Sequence, residues 1–473
     1  MSESLGSNVA PRPRPALLRQ LGVTSAIALV VSSMIGTGIF TTTGFLAGDL
    51  GSPSVVLWSW IFGAFCALFG ALSYSELGMN LPSSGGEYVY LTRAYGPAWG
   101  FMSGWVSFFA GFSAPIAVAA LAFADYLGHV CRACAEEHPH ILLGSGNWTL
   151  AFGKQQMFAI GLVVLLTILN LVGVQRSARV QNVLTAVKVA MLLAFITLAF
   201  TVGRGNWQNF SMHAVRTSSN PLPAQFWISL FYIYLSYSGW NAATYVAEEL
   251  RQPSRTLPIA LAVGTTLVAA LYVVLNVVFI YAAPLEILKG EVAVGALAAS
   301  RLFGSNIGGI FAALMALSLM ATVNAQVITG PRVYYAMAKN GAFLSAAAKV
   351  HPRWHTPWVA ILAQGVCTIL MTMTPFPQLM QYIGFTLSFF AAMGVASLFY
   401  FRRQPGWKKL KMVSFAWPLV PVLFLIPEAW MVIFGLQLKP FISLAAIVTM
   451  GTGALVYHFR RRSRPPEETI ETY

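Results

Sequence analysis

A hydrocarbon layer about 30 Å thick is crossed by roughly 20 helical residues, and this 473-residue chain offers twelve apolar segments near that length. They lie at 23–47, 54–78, 97–128, 155–173, 180–202, 224–250, 257–283, 302–338, 357–374, 377–401, 412–435 and 440–459. Inside a bilayer every backbone N–H and C=O must find its partner within the protein, which restricts such segments to helices or a closed barrel. At this length they read as helices. With 57% hydrophobic and 9% charged residues, the chain is expected to be an all-α polytopic membrane protein, not a soluble enzyme. An even number of crossings returns both termini to one side.

A net charge of +14 would suggest nucleic acid as the partner of a soluble protein, but the distribution points elsewhere. Of the 29 Lys and Arg, 21 fall on the side of the N-terminus, seven on the other, and Lys188 lies within a span. By the positive-inside rule both termini are cytoplasmic, in a plasma or bacterial inner membrane. Arg460-Arg461-Arg462 is then a headgroup contact, with the lipid bilayer as partner and no nucleic acid. Residues 1–20, rich in Pro and Arg, read as a disordered cytoplasmic tail without an evident cleaved signal peptide. Residues 461–473 read as a second cytoplasmic tail.

Two of the spans carry interruptions. Ser33-Met34-Ile35-Gly36-Thr37-Gly38-Ile39-Phe40 sets two glycines and a threonine inside an apolar segment, and each glycine disfavours helix by about 1 kcal/mol relative to alanine. Open backbone at membrane depth is tolerated where it is packed in protein or lines a cavity. The half-helix after the break presents unpaired N–H groups and a positive dipole end to an anion such as a carboxylate. The one before it presents carbonyls suited to an ammonium. A zwitterionic amino acid carries both groups on one carbon. By itself the motif is equally a GxxxG-like packing face or a kink. Five spans later, Ser236-Tyr237-Ser238-Gly239-Trp240-Asn241 repeats the irregularity. Breaks at matching positions of two halves point to an inverted-repeat transporter with its site at the repeat interface.

Other features admit two readings each. Leu81 to Tyr88 is rich in turn formers, either an inner gate or an ordinary reverse turn. Cys131, Cys134, His138 and His140 crowd one outer loop, where they could bind zinc or form a strained disulfide; no apolar shell surrounds them, and no metal is expected. Cys66 and Cys367 read as packing residues. Lys188, inside span 5, either holds a partner or snorkels to the inner headgroups.

Taken together, Ser33 to Phe40, Gly239-Trp240-Asn241, Glu248-Glu249-Leu250, Pro253, Leu257-Pro258, the run Pro331 to Gly341, and His351-Pro352 with Thr356-Pro357 resemble the amino acid-polyamine-organocation superfamily. The chain most resembles its L-type amino acid transporters and their bacterial relatives, over roughly Leu17 to Arg460; the run from Pro331 leans toward cationic relatives. The resemblance implies a leucine-transporter-type fold: two inverted five-helix repeats (21–202 and 203–401) with discontinuous helices 1 and 6, plus accessory helices 11 and 12 (402–460).

By the same resemblance, the substrate carboxylate meets Thr37 and the N–H of Gly38, while the amino group meets carbonyls of Met34, Leu235 and Ser238. Ile35, Gly36 and Gly239 complete the backbone site. Lys188 stands where sodium-coupled relatives hold sodium, and Tyr272 matches a tyrosine near the span 1 break. Leu235 occupies the place of an aromatic gate, leaving occlusion to Tyr237, Phe231 or span 10. Asn324 and Ser388 are weaker candidates, since such residues more often pack helices. The implied function is sodium-independent exchange or facilitated passage of neutral L-amino acids, with proton symport and cationic permease activity as alternatives. Neutral substrates are favoured because the spans offer few carboxylates: Glu76 and Asp125 lie near span ends, and Glu428 lies in span 11. The sequence has no H-E-x-x-H, G-x-S-x-G or Walker loop, so neither an enzyme nor a cofactor is expected. A single-span partner subunit and a monomer are both compatible with it.

Overall fold

The computed structural model describes residues 19–131, 140–145, 148–291, 293–374, 376–438 and 440–462. The first apolar segment is two helices, α1 (Val23–Met34) and α2 (Thr37–Leu50), parted by Ile35 and Gly36 in non-helical backbone. α3 (Pro53–Asn80) starts with a proline in its first turn, where the missing N–H has no helical partner to lose. A turn then leads into the short α4 (Glu87–Tyr95). The third span is α5 (Pro97–Val106), a π-helical turn over Ser107–Ser113, and α6 (Ala114–Val130). A hairpin, β1 (His140–Ser145) with antiparallel β2 (Trp148–Phe152), follows in the loop read above only as a Cys/His cluster. Cys134 and His138 lie outside the described residues.

α7 (Lys154–Leu171) and α8 (Val174–Thr201) complete the first half. In the second half, α9 (Leu222–Tyr237) stops at Ser238 and gives way to a turn and a 3₁₀ segment, Ala242–Glu249. The sixth apolar segment is therefore a helix followed by irregular backbone. α10 (Pro253–Ala282), the short α11 (Leu285–Leu288) and α12 (Val294–Phe303), and α13 (Ser305–Lys339) follow. Then come α14 (Trp358–Met371), α15 (Phe376–Phe401), α16 (Lys411–Phe415), α17 (Leu419–Leu438) and α18 (Pro440–Arg462).

Among the described residues eight helices are long and apolar enough to cross a membrane, and α14, α17 and α18 contain shorter apolar helices. With α9 these account for the twelve segments expected. The arrangement is of leucine-transporter type, with helices 1 and 6 discontinuous and α17 and α18 accessory. α1 packs on α10, α8 and α13, and α2 packs on α9, so both broken helices are enclosed by protein where their open backbone requires it.

On the side of the N-terminus, charged groups pair within the fold. Leu21 bridges to Leu250, and the N–H groups of Gln20 and Leu21 both donate to Glu249 O at 2.9 Å. The Glu249 carboxylate meets Arg332 of α13 at 2.6 Å, with both side chains buried. Glu76, at the end of α3, accepts from Arg402 at 2.6 Å, from Trp407 Nε1 and from the N–H of Leu410. Buried carboxylates need such partners, and Glu76 is a structural anchor.

Candidate functional site

At the end of α1 the last carbonyls have no helical partner, and side chains from three other helices take them. Lys188 of α8 donates from Nζ to Ile35 O at 2.6 Å and to Ser32 O at 3.4 Å. It also donates to Thr322 Oγ1 of α13 at 2.8 Å, and that hydroxyl donates onward to Ile35 O at 2.6 Å. Tyr272 of α10 donates its hydroxyl to Met34 O at 2.6 Å. The Lys188 ammonium is thus turned into the protein, 1% exposed, which overturns the snorkelling alternative. Thr322 escaped the sequence reading, because one threonine in an apolar span is most simply a packing residue.

On the other side of the break, α2 opens without a side-chain cap. Its first N–H groups, including those of Thr37, Gly38 and Ile39, form the anion-suited end of a helix. The glycines around it differ. A methyl group at Gly38 would lie 2.5 Å from Ser236 Cα of α9, whereas one at Gly36 would meet Thr322 Cγ2 at an ordinary 3.4 Å. Gly38 is therefore demanded by close approach of α2 to α9, which the Thr42 to Ser236 hydroxyl bond at 2.9 Å reinforces.

The second break closes on itself. Ser238 donates both its N–H, at 3.1 Å, and its hydroxyl, at 2.7 Å, to Leu235 O. That engages both lone pairs of the Leu235 carbonyl, which corrects the expectation that it faces an ammonium. Gly239 has φ +94°, and a methyl group there would lie 2.8 Å from the carbonyl carbon and oxygen of Ser33. The two breaks are thus in van der Waals contact, with glycine required by both the dihedral and the space. Tyr237, considered above for occlusion, donates to Trp60 O of α3 at 3.0 Å and packs its ring on Trp60 and Tyr272. It anchors α9 to α3.

Beside the breaks lies a cavity with about 780 Å³ of space free of protein atoms, part of it open to solvent. Ser33, Ser238, Gly239, Ser103, Gln326 and Glu87 are among its walls. The π-helical turn brings Ser107, Gly111 and Phe112 to the same wall, a common placement for such turns. Glu87, the first residue of α4, is buried. It accepts from Asn241 Nδ2 at 2.5 Å and from the Tyr245 hydroxyl, so α4 is fastened to the second break. Burial pushes the Glu87 carboxyl above its usual range, while the bonds from Tyr245 and Asn241 oppose that rise. Glu87 follows Gly85-Gly86 in a turn-rich loop between spans, where nothing in the sequence marks a carboxylate as part of a cavity wall.

Asn324 is not at the breaks. It bonds Gln181 of α8 at 2.7 Å and accepts from Asn170 of α7 at 2.9 Å, an interhelical contact, and Ser388 donates to Gly384 O of its own helix at 3.0 Å. Among the described residues, no group of three His, Cys, Asp or Glu is placed to hold a metal ion.

Comparisons with known proteins agree with this arrangement. A family model described as amino acid permease matches residues 21–452. The human "Large neutral amino acids transporter small subunit 2" is 30% identical over 453 residues, covering 93% of this chain and 80% of that protein. The Bacillus subtilis "Serine/threonine exchanger SteT" is 27% identical, covering 95% of this chain and 98% of that protein. The human "Cystine/glutamate transporter" is 28% identical over 463 residues, covering 96% and 88%. With a broken helix in each half, a cavity where the breaks meet and a family match over nearly its whole length, this chain belongs to the amino acid permease family.

Proposed function

We propose that this permease exchanges neutral L-amino acids across the membrane by alternating access, without sodium and without a catalytic step. The observation that carries the proposal is the ammonium of Lys188 among Ile35 O, Ser32 O and Thr322 Oγ1. A fixed cation there does for the open backbone what a bound sodium ion would do. Two unit charges 4 Å apart repel by about 4 kcal/mol at an effective dielectric near 20, so lysine and sodium exclude each other. The substrate carboxylate is assigned to Thr37 and Gly38 at the start of α2, and its ammonium to carbonyls about the breaks, Met34 and Ser238 among them. Ile35, Gly36 and Gly239 shape the site; Lys188 and Tyr272 hold it, and Tyr237 and Leu235 brace α9. Names such as "neutral amino acids transporter" and "exchanger" among the relatives support the substrate class and the exchange mode.

The proposal divides the chain into repeats at 21–202 and 203–401, with 402–460 accessory and both termini cytoplasmic. The human relative is named as a small subunit, and for this chain a single-span partner and a monomer are the two arrangements to distinguish. The test is uptake of a neutral amino acid into proteoliposomes, varying the sodium gradient, the proton gradient and internal amino acid separately. Stimulation by internal amino acid alone is the expected result. Stimulation by a sodium gradient refutes it; stimulation by external acid that disappears in Lys188→Ala replaces exchange with proton symport.

A further inference from the structure

We propose that the cavity beside the breaks is a side-chain subsite built for amino acids bearing a hydroxyl or a carboxamide, with Ser33, Ser103 and Gln326 as its recognition groups. This rests on the amino acid exchange reading above and narrows its substrate class to serine, threonine, asparagine and glutamine. The three residues come from α1, α5 and α13 and line one cavity together with Ser238 and Gly239 of the second break. Ser33 Oγ, Ser103 Oγ and Gln326 Oε1 are each buried without a hydrogen-bond partner among the described residues. Ser33 is 7% exposed and Ser103 1% exposed.

Many serines in these helices satisfy their hydroxyls locally. Ser73, Ser75, Ser236 and Ser388 each donate to the carbonyl four residues earlier in their own helix, the usual local solution for a helical hydroxyl. Ser33 and Ser103 hold no such bond, so a ligand able both to donate and to accept would satisfy them, and the Gln326 oxygen needs a donor. A buried polar atom left unpaired costs about 1–3 kcal/mol, and a ligand hydroxyl or amide recovers it where a methyl group cannot.

The rest of the wall excludes other classes. Val106, Phe112, Leu387 and Phe390 admit a short apolar stem. A side-chain carboxylate would face Glu87, and a side-chain cation would find the Glu87 oxygens already engaged by Asn241 and Tyr245.

Threonine and valine have nearly the same shape and differ by a hydroxyl in place of a methyl group, so they isolate the proposed contact. In proteoliposomes loaded with unlabelled serine, threonine should inhibit labelled serine uptake at a concentration at least tenfold lower than valine does. Glutamine should do so relative to leucine. Ser103→Ala and Gln326→Leu should each shrink these ratios toward one. Equal or better inhibition by valine and leucine in the wild-type protein overturns the subsite while leaving neutral amino acid exchange standing. Absence of uptake for every neutral amino acid tried, leucine and alanine included, overturns the exchange reading and the subsite with it. The wild-type ratios decide the matter even if neither variant can be purified folded.

Discussion

The two helix breaks touch one another through Ser33 and Gly239, yet they are held open in opposite ways. The first is held from outside: Lys188, Thr322 and Tyr272, from three helices far apart in sequence, occupy the carbonyls of Met34 and Ile35. The second satisfies its own carbonyls, by two bonds from Ser238 to Leu235 O and two from Thr244 to Asn241 O, and its ties to other elements run through side chains, Asn241 to Glu87, Tyr237 to Trp60 and Ser236 to Thr42. A break satisfied by side chains of other helices changes whenever those helices move. One satisfied by its own residues travels as a unit. The first break is thus the element sensitive to relative motion of the helices, and the second the more rigid surface against which it works.

The sharpest way to break this comparison is Lys188→Ala. Hydrogen bonds to charged groups contribute about 1.5–3 kcal/mol each, and Lys188 makes its shortest one, at 2.6 Å, to Ile35 O. Loss of most exchange activity, at least tenfold in proteoliposomes, is expected, with the purified variant still monodisperse in detergent. Thr322→Val removes the bond to Ile35 O and one of the acceptors of Lys188 but leaves the charge on Ile35 O, and should cost several-fold less. Equal losses in the two variants would mean that the charge is not what holds the first break.

The glycines rank next, and they separate contact from freedom. Gly239→Ala forces a side chain into φ +94° and sets its methyl group 2.8 Å from the Ser33 carbonyl; the left-handed backbone alone costs about 1–2 kcal/mol. Gly38→Ala meets Ser236 Cα at 2.5 Å. Both should reduce exchange about tenfold. Gly36→Ala has ordinary room and should retain most of it. If Gly36→Ala proved the worst of the three, free backbone at the first break would matter more than contact between the breaks.

These distinctions show where sequence and structure part company. The span pattern and the break at Ile35-Gly36 were legible because each departs locally from the norm for its segment; Lys188 stood out for the same reason, but its position in the span left both an inward partner and snorkelling open. Gly36 and Gly38 looked alike, since what separates them is Ser236, nearly 200 residues away. Thr322 and Glu87 stayed hidden for related reasons. A hydroxyl in a span carries no signature until its carbonyl partner is known, and a glutamate after Gly85-Gly86 looks like loop until α4 is folded against Asn241. Carboxylates are scarce within the spans, and the one that lines the cavity comes from between them.

Glu87→Gln probes one outside tie of the second break. Burial raises the Glu87 carboxyl above its ordinary value of 4.5, so the folded protein holds that proton more tightly than the unfolded chain. The stabilisation that follows is fully present below pH 4.5 and is lost as pH rises through the raised value. Glutamine keeps an acceptor for Tyr245 and cannot ionise. The unfolding midpoint of the wild type, relative to the glutamine variant, should therefore fall as pH is raised from acid toward neutral, by on the order of 2 °C per kcal/mol. A difference that does not change with pH would show that the carboxyl titrates in the fold as it does in water.

The smallest effect is expected at Ser238→Ala, and its smallness is what the self-closing second break requires. The Ser238 hydroxyl supplies one of two bonds to Leu235 O, and the backbone N–H of the same residue supplies the other. Removing the hydroxyl leaves the carbonyl satisfied, so no buried acceptor is orphaned and only the net value of one neutral bond is lost, about 0.5–1.5 kcal/mol. A bond within a unit that moves as one body persists on both sides of a transport cycle, and its loss then bears equally on each state. A ligand or contact that affects two states alike shifts neither. Exchange rates within about threefold of wild type, with a modest fall in thermal stability, are expected from parallel proteoliposome and unfolding measurements. A loss approaching that of Lys188→Ala would show that the second break also changes its bonding during transport, and the division between a sensitive break and a rigid one would fail.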